Sequence, residues 1–373
     1  MMARYREIYE TLKAEIRGGK FDPHNAFPSE RALMRRFSVA RETVRHAIGE
    51  LRKQELLEQR KGTLNVLSFR AKEKAAGVFG MIIPDGYYEF YHRIAVSIEE
   101  TARSQCGYSI LSADLNATDQ FSKLEQAIQF AEICVREKVG GVFFQPLQMT
   151  KDSEAANRMI IDILSKANIP VVLIDSDIVA PPNRSRCDLV DVDNIAIGYE
   201  LGMHVISEGA KSILVFLKPF AAPTSMLRGY GVSLAATESG LRWRAENVIF
   251  ADPSDVAIVK GLVRRRHRPD AIIASNDYVA SLLLKSFAEI GIKVPDDILL
   301  AGVNGDSLAT ESVPKLTTMA QPCEQIGAEA IHLMRRRIAE PDSAPREISL
   351  VSKLIVREST RRMRNGRKGM SNQ

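Results

Sequence analysis

Seven apolar runs of strand length recur between residues 78 and 303, and they restrict the possible folds more than any other feature. The runs are Val78–Ile83, Tyr108–Ala113, Gly141–Gln145, Pro170–Ile174, Ile213–Leu217, Ala271–Ala274 and Ile298–Val303. Most are separated by about 25 to 35 residues that include helical patterns. Apolar strands that alternate with helices form parallel sheets through right-handed crossovers. Seven strands are too many for one short sheet, so the sequence predicts an α/β fold with parallel sheets in two lobes.

Polar and aromatic side chains follow these runs, at the strand ends where parallel sheets bind ligands. They include Tyr87, Phe90, Tyr91, Asp175, Thr224, Arg228, Asn276, Asp277, Asn304 and Asp306. Carboxylates, amides and a guanidinium can hold vicinal hydroxyls, and an aromatic ring can pack on the C–H face of a sugar. The set therefore predicts a polyol site. Three members have a second interpretation, since Asp277 precedes a helix as an N-cap would, Asp306 is typical of a turn and Tyr87 is typical of an exposed loop.

Two short helices joined by a tight turn near Ser38 are predicted between residues 27 and 51. Ser29 is a suitable N-cap for the first helix. The second helix has its apolar face at Val44, Ala47, Ile48 and Leu51. Arg41 and Arg45 therefore project together from the other side. A helix-turn-helix contacts phosphates and guanine edges through a pair of arginines in this position. The alternative interpretation is a solvated basic helix face, where such pairs also occur.

The segments on either side complete a winged helix-turn-helix. An amphipathic helix precedes the pair, with apolar positions at Tyr5, Ile8, Tyr9, Leu12 and Ile16. A hairpin with Gly62 at its turn follows between residues 56 and 67. Residues 1–70 hold 15 Lys and Arg against 9 Asp and Glu, and residues 361–373 hold five against none, although the whole chain carries only +5. Basic ends on an acidic body fit a module that binds a polyanion.

Several classes of protein are disfavoured by what the sequence lacks. The four cysteines and six histidines are scattered without metal or redox spacing, so we expect no metal, no cofactor and a reducing cytoplasm. No apolar run approaches the ~20 residues of a membrane span, and the first residues have no apolar segment of the signal-peptide kind. There is no Ser/His/Asp order and no glycine-rich phosphate loop, so an enzyme is not expected.

Residues 1–68 resemble the GntR-type DNA-binding domain. The most specific segments are Pro28-Ser-Glu-Arg and Val39-Ala-Arg-Glu-Thr-Val-Arg45, followed by Gly62-Thr63. The resemblance implies DNA contacts from Arg31, Arg41, Thr43, Arg45, Lys61, Gly62 and Thr63. The family often has Ser where Ala40 stands and Gly where His24 and Arg60 stand, which affects sequence preference and the shape of the wing.

Residues 77–361 resemble the LacI-type effector domain, a relative of the periplasmic sugar-binding fold. The matching segments include Gly80-Met-Ile-Ile-Pro-Asp, Ile169-Pro-Val-Val-Leu-Ile-Asp175, Arg268-Pro-Asp-Ala-Ile-Ile-Ala-Ser-Asn-Asp277 and Leu354-Ile-Val-Arg-Glu-Ser-Thr360. The resemblance implies a cleft between lobes lined by Phe90 or Tyr91 and by Asp175, Thr224, Arg228, Asn276, Asn304 and Gln321, with Asp277 beside them. The family commonly has Asp where Asn304 stands, so one carboxylate is missing here.

The combination of a GntR-type DNA-binding domain with a LacI-type effector domain is similar to the arabinose-responsive repressors. The resemblance implies a homodimeric repressor of a carbohydrate-utilisation operon, bound to a palindromic double-stranded operator and controlled by a small sugar. Residues 69–76 are the predicted linker and 362–373 a disordered basic tail. The linker lacks a hinge-helix pattern, so we expect signalling through the spacing of two winged helices. The alternatives are a sugar-binding protein without regulatory output and a regulator of a non-sugar ligand.

Overall fold

The computed structural model describes residues 2–17, 21, 27–54, 56–59, 65–67, 77–83, 89–113, 115, 120–148, 152–264 and 268–362. The hairpin tip with Lys61, Gly62 and Thr63, the linker predicted at 69–76 and the tail from residue 363 lie outside this part. So does Tyr87.

The N-terminal part has the predicted three helices and hairpin. These are α1 (Met2–Arg17), α2 (Glu30–Phe37), α3 (Arg41–Lys53), β1 (Leu57–Gln59) and β2 (Asn65–Leu67), with the two strands antiparallel. The apolar faces predicted for α1 and α3 meet in one small core, whose fully buried members include Leu12, Leu33, Val44 and Leu51. The predicted winged helix-turn-helix is therefore confirmed in its described elements.

The turn between α2 and α3 follows from its sequence. The Ser29 hydroxyl caps α2 by accepting a hydrogen bond from the backbone N–H of Ala32 at 3.2 Å, as predicted. Ser38 ends the helix in the left-handed region with φ 51°, and its N–H bonds to the carbonyl of Met34. The chain then turns into α3, whose first residue is Arg41.

The first of two six-stranded sheets has the order β13-β7-β6-β5-β3-β4, and all its pairs are parallel. We call this half of the fold lobe 1. Its strands are β3 (Val78–Ile82), β4 (Ser109–Ser112), β5 (Val142–Phe144), β6 (Val171–Ile174), β7 (Asp188–Val192) and β13 (Glu347–Leu350). On one face lie α4 (Glu89–Thr101) and α12 (Cys323–Ala339), and on the other lie α5 (Gln120–Arg136) and α6 (Ser153–Lys166).

The second sheet, which defines lobe 2, has the order β14-β12-β11-β10-β8-β9. Its strands are β8 (Ile213–Leu217), β9 (Val248–Phe250), β10 (Ala271–Ala274), β11 (Leu299–Asn304), β12 (Thr317–Ala320) and β14 (Lys353–Ile355). One face carries α7 (Asn194–Ser207) and α8 (Pro223–Glu238), and the other carries α9 (Val256–Val263) and α10 (Asp277–Glu289). The short α11 (Leu308–Glu311) follows β11.

The chain passes between the lobes three times, after β7, after β12 and after β13. All seven apolar runs form strands, and the two-lobed α/β architecture is confirmed. The sheets are parallel as predicted except at one edge of the second sheet, where β14 pairs with β12 in antiparallel register. None of the helices in the described ranges is both long and apolar enough to cross a membrane.

Candidate functional sites

Two arginines stand side by side at the start of α3. One carboxylate, Glu30 at the start of α2, accepts a hydrogen bond from Arg41 Nε at 2.8 Å and from Arg45 Nε at 3.1 Å. The hydrogen bond from Arg41 is the largest cause of the lowered pKa of Glu30. Both arginine side chains remain more than 60% exposed. Because the bonds use Nε, the Nη donors of both guanidiniums are not consumed by Glu30.

The other predicted DNA contacts fall into two groups. Arg31 is exposed on α2 and Thr43 is half-buried on α3, so both belong to the same pair of helices as Arg41 and Arg45. The wing contacts predicted for residues 61–63 lie outside the described residues. The described surface is thus a paired-arginine face suited to phosphates and base edges.

Replacing Arg45 with alanine should weaken binding to a cognate DNA duplex by about 1–3 kcal/mol, which is the cost of losing the bidentate base contact that we predict for this side chain. The duplex would be selected from a random library by the wild-type chain, and affinity would be measured by fluorescence anisotropy at fixed salt. Lys53→Ala is the matched control, since it removes one positive charge from the far end of α3. Equal effects of both substitutions would contradict a specific role for Arg45.

In the two-lobed part, a carboxylate of lobe 1 is buried at the end of β6. Asp175 is 4% exposed, and its Oδ2 accepts a hydrogen bond from the Tyr91 hydroxyl at 2.9 Å. Gln145 Nε2 donates to the same hydroxyl oxygen at 3.4 Å. Burial raises the pKa of Asp175, while the charge of Arg228 and the bond from Tyr91 act against that rise.

Arg228 of lobe 2 supplies the opposing charge. It lies on α8, is 7% exposed, and donates from Nε to Asn194 Oδ1 and from Nη1 to the Ser275 carbonyl, each at 2.8 Å. Burial lowers the pKa of Arg228 and the nearby Asp175 charge opposes this. Three elements therefore fix the guanidinium, and neither bond involves Nη2. A fixed, buried guanidinium with a spare donor can bind hydroxyl or carboxylate oxygens.

The choice between Phe90 and Tyr91 is decided by their burial. Phe90 is 3% exposed within the apolar core, whereas the hydroxyl of its neighbour Tyr91 reaches Asp175. Thr224, in the first turn of α8, is 6% exposed. We therefore place Tyr91 rather than Phe90 in the polar cluster.

Asn276 and Asp277 are neighbours in the chain but accept hydrogen bonds from different segments. Asn276 is the N-cap of α10, where its Oδ1 accepts from the Val279 N–H at 2.9 Å. The N-cap interpretation of Asp277 was therefore wrong by one residue. Asp277 Oδ2 instead accepts from the backbone N–H groups of Gly305 and Asp306, at 2.8 and 3.0 Å. Burial raises the pKa of Asp277 to about 7.

The amide at position 304 is held by its neighbours. Gln321 Nε2 donates to Asn304 Oδ1 at 2.9 Å, and Asn304 Nδ2 donates to Asp306 Oδ2 at 3.1 Å. Asp306 is 3% exposed, and burial raises its pKa to about 6. The turn interpretation of Asp306 was incomplete, because this carboxylate also accepts a hydrogen bond from the Asn304 amide and orients it. We call Tyr91, Asp175, Asn194, Arg228, Asn304, Asp306 and Gln321 the inter-lobe cluster.

Sequence reasoning missed three polar residues near this cluster. Asn194 begins α7 and holds Arg228, Gln145 contacts Tyr91, and Gln148 Nε2 donates to Ser176 Oγ at 2.6 Å. Gln145 is the last residue of an apolar run, and Asn194 follows a segment in which acids alternate with apolar residues. Their positions at strand ends could therefore have identified them as candidate site residues. Across the described residues no group of three His, Cys, Asp or Glu side chains is arranged to hold a metal ion.

Two family models match the chain. The one described as bacterial regulatory proteins, gntR family, matches residues 4–63, and the one described as periplasmic binding protein-like domain matches residues 203–360. The arabinose metabolism transcriptional repressor of Geobacillus stearothermophilus is 30% identical over 375 residues, covering 96% of this chain and 98% of that protein. The chain belongs to this family of GntR-type transcriptional regulators. Both resemblances found in its sequence are thereby confirmed.

Solved structures of similar fold support the same assignment of the two-lobed part. The transcription regulator CcpA of Lactococcus lactis aligns with a TM-score of 0.65 and 20% identity, over 77% of this chain and all of that one. A LacI family regulator from Enterococcus faecium with bound ribose aligns with a TM-score of 0.60 and 22% identity, over 76% and 98%. At such identities the likeness establishes the fold.

Proposed function

We propose that this regulator is a repressor whose binding to a palindromic operator is controlled by a small sugar bound between the two lobes. The observation that carries the proposal is the burial of two opposite charges, Asp175 from lobe 1 and Arg228 from lobe 2, near enough for each to shift the pKa of the other. Each is more than nine-tenths buried, and each is held by hydrogen bonds to neutral groups. A ligand that bonds to both side chains stabilises one relative position of the lobes.

The chemistry of the cluster favours a neutral polyol. It offers a carboxylate as acceptor, a guanidinium as donor, and amides at positions 304 and 321 that can do both. Asp175 and Arg228 carry opposite charges, and Asp306 already accepts a hydrogen bond from Asn304, so a ligand with alternating hydroxyl donors and acceptors fits the cluster better than an ion. The ribose in the Enterococcus faecium structure and the arabinose in the name of the Geobacillus relative support the same class.

The proposed dimer has a suitable surface on lobe 2. Large apolar side chains are exposed along one side of the paired helices α7 and α8, at Ile195, Met203, Met226, Tyr230 and Leu234. Their spacing of four or eight residues within each helix places them in stripes. A second copy that covers these stripes would bring two winged helices to two half-sites. Sedimentation of the protein as a monomer at micromolar concentration would contradict this.

The direction of the coupling between sugar binding and operator binding follows from the genes that such a repressor controls. A repressor of genes that consume its effector has to release DNA when the effector is present, so the sugar must favour the arrangement that binds the operator less well. Closure of the lobes would then change the separation of the two arginine faces. A coupling of about 1–3 kcal/mol corresponds to a 5- to 150-fold change in operator affinity.

A thermal-shift screen tests the sugar site. The full chain would be screened against pentoses, hexoses, uronic acids and their phosphates, and a ligand present at 100 times its Kd should add about 2.7 kcal/mol of stability. Arg228→Met, which keeps the volume, should weaken binding of the hit at least about tenfold, since hydrogen bonds to charged groups contribute about 1.5–3 kcal/mol. Retained operator binding in the absence of sugar would show that the variant folds. Unchanged sugar affinity in Arg228→Met would rule out this site.

A further inference from the structure

A cavity of about 300 Å³ is lined by residues of both lobes. Its described walls come from the loops after β5 and β6, the start of α6 and the loop between β8 and α8. Lining residues from these elements include Gln148, Glu154, Asn157, Asp177, Phe220 and Pro223, and no member of the inter-lobe cluster is among them. A cavity of this size matches the lower end of small-molecule sites in proteins.

Phe220 gives the cavity an aromatic surface. Its side chain belongs to lobe 2 and the residue is 62% exposed, although large apolar residues of this fold are mostly buried. Its φ of 56° is in the left-handed region, which residues other than glycine rarely adopt. An exposed ring that lines a cavity between lobes can pack on the C–H face of a sugar ring.

The polar wall opposite Phe220 belongs to lobe 1 and carries little free charge. Asp177 Oδ2 accepts from Arg184 Nη1 at 2.6 Å and from the Ser185 N–H at 3.0 Å. Glu154 is paired with Arg158 at 2.7 Å. The Gln148 and Asn157 amides are neutral. Such a wall of neutral amides and paired carboxylates offers hydrogen-bond donors and acceptors that suit hydroxyl groups.

Two loops supply residues both to the cavity wall and to the inter-lobe cluster or its immediate sequence neighbours. Asp177 is two residues from Asp175, at most about 7 Å along an extended chain. Between them, Ser176 holds Gln148 of the cavity wall. On the other lobe, Pro223 of the wall directly precedes Thr224. A ligand that is anchored at Asp175 and is longer than one ring therefore extends into the cavity.

We propose that the effector is a disaccharide or a glycoside, with one ring on the inter-lobe cluster and the second ring in this cavity, stacked on Phe220. The proposal rests on the proposed sugar-controlled function and narrows its ligand class. It assigns Phe220 a role in specificity, because a single-ring sugar bound at the cluster does not need the cavity.

Calorimetry with matched sugars tests this. The full chain would be titrated with arabinose and α-1,5-arabinobiose, xylose and xylobiose, glucose and cellobiose, and galactose and melibiose. One disaccharide should bind at least about tenfold more tightly than its component sugars. Phe220→Ala should remove that advantage and leave the Kd of the single sugars within about twofold, whereas Phe220→Tyr, which keeps a stacking ring, should retain it. Operator binding without sugar serves as the folding control for both variants.

The outcomes separate this proposal from the proposed function. If single sugars bind and every disaccharide binds no better, the second subsite is wrong while sugar control stands. If Phe220→Ala leaves the disaccharide advantage intact, the role of Phe220 is wrong. If no sugar of either length binds, the proposed function itself fails, and the subsite with it.

Discussion

Replacing Arg337 with alanine should lower the free energy of unfolding of the two-lobed part by about 3 to 5 kcal/mol, because it leaves a buried carboxylate without its main partner. Asp188 on β7 has a fully buried side chain and accepts from Arg337 Nε at 2.7 Å and Nη2 at 3.1 Å. The same carboxylate accepts from the Arg346 N–H at 2.7 Å. One ion pair thus joins β7, α12 and the segment before β13.

The arginine also stabilises the loop after α12. Its Nη1 donates to the carbonyls of Pro341 and Ser343, at 2.9 and 2.6 Å. Arg336 Nη1 lies 3.8 Å from Asp188 and can replace only part of the lost charge. Removing Arg337 therefore leaves a buried negative charge that is only partly compensated, and it frees a loop at the same time.

Chemical denaturation of the full chain measures this effect, with Arg158→Ala as the control. Arg158 pairs with Glu154 on α6, but both side chains are more than half exposed. Exposed pairs of this spacing contribute only about 0.3–0.5 kcal/mol. A loss of under 1 kcal/mol in Arg337→Ala would show that Asp188 does not depend on this partner.

The second large effect is expected for Gly231→Ala, which should cost more than about 3 kcal/mol by forcing two helix backbones apart. A Cβ at Gly231 on α8 would lie 2.0 Å from the Ile195 carbonyl oxygen of α7. At the same crossing, a Cβ at Gly198 would lie 1.9 Å from the carbonyl oxygen of Arg228. Because these obstacles are backbone atoms, no side-chain rotation relieves them.

The substitution should also weaken effector binding, since α8 carries Arg228 and α7 begins with its partner Asn194. Gly261→Ala is the matched control. Gly261 lies within α9, and among the described residues no neighbouring atom lies within 4 Å of the place that an added Cβ would take. Alanine there should stabilise the helix by about 0.5–1 kcal/mol. If thermal unfolding showed Gly231→Ala to be as stable as Gly261→Ala, the close crossing of α7 and α8 would be refuted.

Six of the eight central strands of the two described sheets, all except β7 and β12, were readable from the sequence. Both faces of these six strands are buried, which makes each one a continuous apolar run. The strand β7 was missed for a physical reason. Asp188 and Asp191 interrupt its apolar pattern, and Asp188 is tolerated in the core only because Arg337, 149 residues later, neutralises it. The edge strands β13 and β14 are half-exposed and short, so neither has a recognisable run.

The charged residues of the candidate site were also predictable from the sequence, but the partners that hold them were not. Strand ends located Asp175 and Arg228, since ligands of parallel sheets bind there. The partners that hold these side chains were not predictable, because Asn194 and the Ser275 carbonyl reach Arg228 only through the crossing of α7 and α8 and the order of the second sheet. Phe220 was overlooked because nothing in its local sequence indicates that an aromatic ring in that loop would stay exposed.

The most direct test of the central claim is the affinity for a selected operator duplex, measured by fluorescence anisotropy with and without a saturating sugar that is known to bind. We predict an affinity 5- to 150-fold lower with the sugar, corresponding to about 1–3 kcal/mol of coupling. We also predict a steep decrease of sugar-free affinity with salt, as expected for contacts with phosphates. Operator affinity that is the same with and without the bound sugar would contradict control of DNA binding by the inter-lobe site.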